Sequence, residues 1–236
     1  MKLISLNIWG GRLKDDLLQF LKSHSEVDVF LFQEICDNGS VDDGWVAEPF
    51  IFTEISEILS GHKAIFAKAD ENGWGLAAFV KEGVEVKEAG DIFITQYKSE
   101  KDKIFGKKRN IQYVTIGGTT LFNYHGIWTG KGKEDNSERF EQSSKIIDFM
   151  KDFKGEIILA GDFNLLPDTE SLKMMENELG LKNLIKEFNI TSTRTSHYDK
   201  EVKFADYMLV SKGIEVKEFK ILPEEVSDHA AMYLEF

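Results

Sequence analysis

Glu156-Ile157-Ile158-Leu159-Ala160-Gly161-Asp162-Phe163-Asn164 is the stretch whose reading decides the fold. Residues 157–160 form a short unbroken apolar run, as expected of a strand buried on both faces. Such a strand belongs to a sheet covered by other layers. The run stops at an acid and an amide. A carboxylate at the end of a buried strand is costly unless it is paired, hydrogen-bonded or metal-bound.

The same ending recurs outward from that stretch. Asn7 interrupts the first apolar run, 2–9, which stops at Gly10-Gly11. The run 27–32 leads into Gln33-Glu34, and Asn123 and His125 end the run 120–124. Asp206 sits within Phe204-Ala205-Asp206-Tyr207-Met208-Leu209-Val210, and Asp228-His229 directly precede the last run, 230–236. Any one of these has a structural explanation, because turns and caps commonly use Asp and Asn. Six on separate segments point to strand ends brought together around one site.

The rest of the pattern alternates. Leu13, Leu17, Leu18 and Leu21 have helical spacing. Residues 137–153 form the clearest helix, with Ile146, Ile147, Phe149 and Met150 on one face, and 171–179 reads as a helix closed by Gly180. Further strands are expected at 64–67, 76–80, 84–86, 92–95, 111–116, 205–210 and 214–222, with a hairpin turn at Gly117-Gly118. Two packed sheets flanked by helices is the economical architecture.

The chain has 236 residues, three prolines and no Pro/Gly/Ser-rich linker, so a single α/β domain over 1–236 is expected. A lone Cys36 excludes an intramolecular disulfide and fits a reducing cytoplasm. The N-terminus reads as a strand and not as a signal peptide, and no apolar stretch approaches transmembrane length. Cytoplasmic location is the expectation, and no obligate protein partner is implied. The net charge of −12 disfavours nonspecific binding to a polyanion.

Residue types narrow the chemistry. Magnesium prefers carboxylate oxygens and water, and Glu34, Asn7 and Asp228 are suitable oxygen donors. Histidine carries protons near neutral pH, and Asp206 can orient and charge-stabilise His229. The absence of Cys/His spacing argues against structural zinc, and no glycine loop ending in Lys-Ser/Thr points to a nucleotide motor.

Taken in order, the motifs resemble the endonuclease/exonuclease/phosphatase superfamily over essentially the whole chain. Leu6-Asn7-Ile8-Trp9 looks like its first-strand asparagine motif, and Gln33-Glu34 like its metal-binding pair. Asn123-Tyr124-His125 resembles the Asn-x-His element, and Gly161-Asp162-Phe163-Asn164 the Gly-Asp-Phe-Asn signature. Ala205-Asp206-Tyr207 and Ser227-Asp228-His229 resemble the last two, while Arg139 and Gln142 fit an Arg-x-x-Gln on the preceding helix.

The resemblance implies a DNase I-like α/β (α+β) fold, a four-layer sandwich with two central mixed β-sheets flanked by helices. It implies a Mg2+ cofactor, with Mn2+ possible, held by Glu34 with Asn7 and Asp228. Asp162 would position or deprotonate the attacking water, and Asn164 would bond the water or the phosphate. His229, held by Asp206, would move a proton or stabilise the transition state. His125 would donate to phosphate or assist the leaving group.

The resemblance is incomplete in places. The DNase I-like branch often has another acid supporting the first histidine, and Asn72-Gly73-Trp74-Gly75-Leu76 offers none. The long insertions of inositol phosphatases and the basic composition of abasic-site nucleases are missing too. The loop after His125, 126–133, offers Trp128 for stacking and Lys131 and Lys133 for phosphate, or is simply a solvated connection with a core tryptophan. The basic stretch 98–109, ending in Arg109, reads as a solvated loop or an anion grip. Residues 191–197, ahead of the Asp206 strand, are a candidate lining of the site; His197 alone reads as a surface residue and Cys36 as packing.

A phosphodiester, with nucleic acid as the first substrate guess, is one expectation. A small or lipid-borne phosphate ester is the alternative, mildly favoured by the acidic charge. A catalytically inactive binding module is the reading of another class, opposed by so many buried acids.

Overall fold

The computed structural model describes residues 1–39, 47–96, 108–130 and 132–236. In chain order the first half runs β1 (Lys2–Asn7), α1 (Lys14–Ser23), β2 (Val29–Cys36), α2 (Ile51–Ile58), β3 (His62–Lys68) and β4 (Trp74–Lys81). The middle supplies β5 (Val86–Thr95), β6 (Arg109–Ile116), β7 (Thr119–His125), α3 (Ser137–Met150) and β8 (Glu156–Asp162). The chain closes with α4 (Glu170–Glu178), β9 (Leu181–Asn183), α5 (Leu184–Glu187), β10 (Asp206–Ser211), β11 (Glu218–Ile221) and β12 (Met232–Glu235).

Two six-stranded mixed sheets result, ordered β11-β12-β1-β2-β4-β3 and β5-β6-β7-β8-β10-β9. Each has one parallel pair at its centre, β1 with β2 and β7 with β8, and antiparallel pairs elsewhere. Each parallel pair needs a crossover, supplied by α1 in one sheet and α3 in the other. The expected DNase I-like architecture of two mixed sheets with helices around them is therefore what forms.

Side-chain alternation explains the unbroken apolar runs. Along β1 and β2, Ile4, Leu6, Phe30 and Phe32 join Leu17, Phe20, Leu21, Ile51 and Ile55 beneath α1 and α2. Leu3, Val29 and Leu31 point the other way, into a core shared with β6, β7 and β8. That inner face turns polar toward the carboxyl ends. Ser5, Asn7 and Gln33 follow Leu3, Val29 and Leu31, and all three are fully buried.

A polar seam joins the sheets there. Gln33 Nε2 donates to Asn123 Oδ1 at 2.7 Å, and Asn123 Nδ2 donates to Phe32 O, Ala77 O and Gln112 Oε1 at 3.0 to 3.2 Å. Gln33 and Asn123 thus tie sheet to sheet, one step behind the site.

Several boundaries differ from the sequence pattern. Val86 and residues 92–95, expected in two strands, belong to one ten-residue strand, Val86–Thr95, whose largely exposed edge position hides its continuity, while Val84 and Glu85 lie before it. Only Glu218–Ile221 of the expected strand 214–222 pairs, because a turn closes between Ser211 O and Ile214 N. The helix expected to 153 ends at Met150. α2 escapes the pattern, although Ile51 and Ile55 are fully buried at helical spacing. Gly117-Gly118 forms the β6–β7 turn as expected. No helix among the described residues is long and apolar enough to cross a membrane.

Candidate active site

The carboxyl ends of the two parallel pairs meet. In register, His125 of β7 pairs with Asp162 of β8, and Asp162 pairs with Asp206 of β10, so three of the expected residues lie on one row. From the other sheet Asn7 pairs with Gln33, beside Glu34. Glu34 occupies an irregularity between Gln33 and Ile35 and has φ +55. A bulge with one residue in the left-handed region re-aims a side chain, here from the β2 ladder into the cleft.

Asn7 sits between the carboxylates. Its Nδ2 donates to Glu34 Oε1 and to Asp162 Oδ2, both at 3.1 Å, while its Oδ1 accepts from Trp9 N at 3.0 Å. Asn164, with φ +53, folds back so that its N–H donates to Asp162 Oδ1 at 2.9 Å. His125 Nε2 lies 3.7 Å from both Glu34 Oε1 and Asp162 Oδ2.

His229 follows a second line. Its Nδ1 is 2.8 Å from Asp206 Oδ1 and 2.9 Å from Oδ2, and its Nε2 faces Asp162 Oδ2 at 3.6 Å. Burial raises the Asp206 carboxyl to about 6 and drives the His229 imidazole well down, with Arg194 lowering both. At neutral pH this leaves an ionised Asp206 accepting from Nδ1–H and a free lone pair on Nε2. Burial also lowers His125, reinforced by the charge of Arg109.

Asp70 carries no sequence pattern that marks it, whereas Lys133 belongs to the expected phosphate loop after His125 and Arg194 to the segment 191–197. Arg194 lies in the segment before β10; its Nη1 donates to Asp228 Oδ2 at 2.7 Å and its side chain is 4% exposed. Lys133 is buried and donates to Phe204 O at 2.8 Å; burial and then Arg194 lower its ammonium to about 8. Asp70 stands just ahead of the stretch that lacked an acid, lines the cleft and accepts from Asn72 N and Trp74 N.

Trp128 and Arg109 line the same cleft, of about 610 Å3, together with Trp9, Trp74 and Tyr198. Arg109 Nε donates to Gly126 O at 3.2 Å. Lys131 and most of the basic stretch, Lys98 to Lys107, fall outside the described residues. His197 is exposed and Cys36 is buried in packing, as expected. Arg139 and Gln142 shape the loop rather than the cleft. Gln142 Oε1 accepts from Tyr124 OH and Ile127 N, and Arg139 donates to Gly132 O and Glu134 O.

The donor set fits a hard divalent cation. Glu34, His125 and Asp162 offer ligand atoms within 4.8 Å of one another, as do Asp162, Asp206 and His229. Asp228 Oδ1 is buried without a hydrogen-bond partner among the described residues. Glu34 is pushed up to about 7, first by burial, against the Asn7 hydrogen bond, then by the charges of Asp162 and Asp228. Carboxylate oxygens crowded to that degree are what a hard divalent cation compensates.

Solved structures share the fold at low sequence identity. A mannosyl-6-phosphatase from Bacteroides thetaiotaomicron VPI-5482 superposes with a TM-score of 0.73 at 17% identity, covering 100% of this chain and 98% of that one. The human nocturnin catalytic domain with bound sulfate gives 0.67 at 17%, covering 99% and 92%. An AP endonuclease from Archaeoglobus fulgidus gives 0.66 at 15%, covering 100% and 99%. No curated protein matches the chain by sequence. The model of the Endonuclease/Exonuclease/phosphatase family, whose members are metal-dependent hydrolases of phosphate esters, matches residues 4–229. With its fold, its ordered motifs and that match in agreement, the chain belongs to the endonuclease/exonuclease/phosphatase family.

Proposed function

We propose that the chain is a magnesium-dependent phosphoesterase in which water attacks phosphorus. The observation that carries this reading is the meeting of Asn7 and Glu34 with His125, Asp162, Asp206 and His229 at the ends of two sheets. Glu34 and Asp228 would hold the cation, with Asn7 fixing the Glu34 carboxylate, and the cation would supply neutralisation of charge developing on the phosphate oxygens. Asp162 accepts a hydrogen bond from the attacking water, with its carboxylate held by Asn7 and by the Asn164 N–H. His229 Nε2 is the proton acceptor beside it, its tautomer set by Asp206. His125 and Asn164 face the phosphate.

Size and charge favour a small ester or a chain end over bulk duplex DNA. The cleft has the volume of a single small-ligand site, and the chain's net charge of −12 repels a polyanion. Trp128 and Arg109, which line the cleft, are the residues this reading gives to the leaving group or its phosphate.

The test is a panel of nucleotides, sugar phosphates, lipid phosphates and nucleic acids assayed with purified protein, with Mg2+ and with EDTA. Cation-dependent release from at least one ester, cut by orders of magnitude in His229→Ala, is the expected result. Cation-independent turnover, or full activity in that variant, would defeat the assignment.

A further inference from the structure

Two buried cations on one wall of the cleft have donors to spare. Lys133 Nζ makes one hydrogen bond among the described residues, to Phe204 O, and an ammonium has three hydrogens. Arg194 gives Nη1 to Asp228, and its buried Nε has no acceptor among the described residues. Cations held in this way are costly unless an anion completes their shell.

Their positions are built rather than incidental. The Tyr198 ring brings them together, 4.1 Å from the Arg194 guanidinium and 5.6 Å from Lys133 Nζ. An aromatic face attracts cations that would otherwise repel each other. The loop bearing Lys133 is pinned on both sides. Arg139 donates to Gly132 O, and Asp135 accepts from Glu170 N and Ser171 N at the start of α4. Through Asp228, whose Oδ1 is 3.8 Å from His229 Nε2, Arg194 reaches the reacting centre itself.

We propose that Lys133 and Arg194 together clasp a terminal phosphate in its dianionic form, so that the preferred substrate is a phosphomonoester. This rests on the phosphoesterase reading above. A monoester carries close to two negative charges at neutral pH and three non-bridging oxygens. A diester carries one charge and two such oxygens. The extra oxygen and charge are what a second buried cation can hold, and Arg109, whose charge acts on His125, lines the same cleft.

The experiment compares p-nitrophenyl phosphate with bis(p-nitrophenyl) phosphate in Mg2+, for the native protein, Lys133→Met, Lys133→Arg and Arg194→Gln. In parallel, binding of inorganic phosphate and of dimethyl phosphate is titrated calorimetrically. The native protein is expected to favour the monoester by about 100-fold or more in kcat/KM. Lys133→Met and Arg194→Gln should lower the monoester-to-diester ratio by about tenfold or more and weaken inorganic phosphate by a similar factor. Lys133→Arg, which keeps the charge, should recover part of both. A native preference for the diester overturns the proposal, as does an equal loss on both esters. If the native protein hydrolyses neither ester, the phosphoesterase reading fails for these probes, and the phosphate titrations still decide whether the two cations hold a dianion. Thermal melting of each variant separates lost binding from lost folding.

Discussion

Asn7 and Asp162 end strands of different sheets, and one side-chain hydrogen bond of 3.1 Å joins them across the interface. The same amide nitrogen reaches Glu34 at 3.1 Å. Asn7 is therefore the bracket that sets the separation of two carboxylates which repel each other. Asn7→Ala removes both donors and leaves buried acids without them. The expected result is about a tenfold to hundredfold weaker affinity for Mg2+, as for other residues that orient a metal ligand. Calorimetric titration of Mg2+ into the purified variant measures it; native affinity would mean that Asn7 does not position Glu34.

Asp206 holds His229 by Nδ1 and touches the cleft only through it. Asp206→Asn preserves shape but removes the ionised acceptor that fixes the tautomer. By analogy with hydrolases in which a carboxylate orients the base, kcat should fall by about a thousandfold with KM little changed. Cation affinity gives a second readout. If it stays near native while Glu34→Gln loses it, the cation sits on the Glu34 side of the cleft, as proposed, rather than with Asp162, Asp206 and His229. An unchanged kcat would remove His229 from proton transfer.

Glu34 links stability to pH. Its folded-state pKa is raised from 4.5 to about 7, chiefly by burial. Between those values the native protein holds a proton that the unfolded chain has released, so this group favours the fold below about pH 4.5 and the contribution is lost as pH rises through 7. At 1.36 kcal/mol per unit, the swing is on the order of 3 kcal/mol. Asp206 and His229 shift in opposite senses and oppose each other in the same range, so the native protein is compared with Glu34→Gln. In EDTA, urea unfolding at several pH values should show the native protein losing stability relative to the variant from pH 5 to 7. Saturating Mg2+ should reverse that trend, because the cation binds the carboxylate form. Parallel curves in EDTA would refute the shift.

The acids and the amide of the site are legible because they break apolar strands. Asp162, Asp206 and Asn7 stand out against neighbours that have every reason to be buried. Gln33 and Asn123 stand out equally, yet the structure uses both to stitch the sheets. A buried amide reads the same in either role until its partners are known. Lys133 and Arg194 are marked only as members of their loops, 126–133 and 191–197, since a cation in an irregular loop reads equally well as solvated. Their burial comes from Tyr198, Asp228 and Phe204, contacts that depend on how segments dock. Helix α2 is hidden for a related reason: its apolar face is defined by the β2 and β4 aromatics beneath it.

Gly161 shows what the glycine of the Gly-Asp-Phe-Asn stretch does. Its φ is +141, and a Cβ there would stand 2.0 Å from Tyr124 O, its partner in the β7–β8 ladder. Backbone on a central strand cannot retreat without breaking that ladder, so two costs add at this position. Gly117, in the β6–β7 turn, has φ +58, and a Cβ there would meet nothing within 4 Å, so only the conformational cost applies. Gly117→Ala should destabilise by about 1 kcal/mol, while Gly161→Ala should exceed about 4 kcal/mol or abolish folding. Urea unfolding of both variants measures the contrast. If Gly161→Ala does fold, the displaced ladder should separate Asp162 from His125 and Asp206, and activity should fall further than stability predicts. Equal costs at the two glycines would show that close approach of β7 and β8 is not why this residue must be glycine.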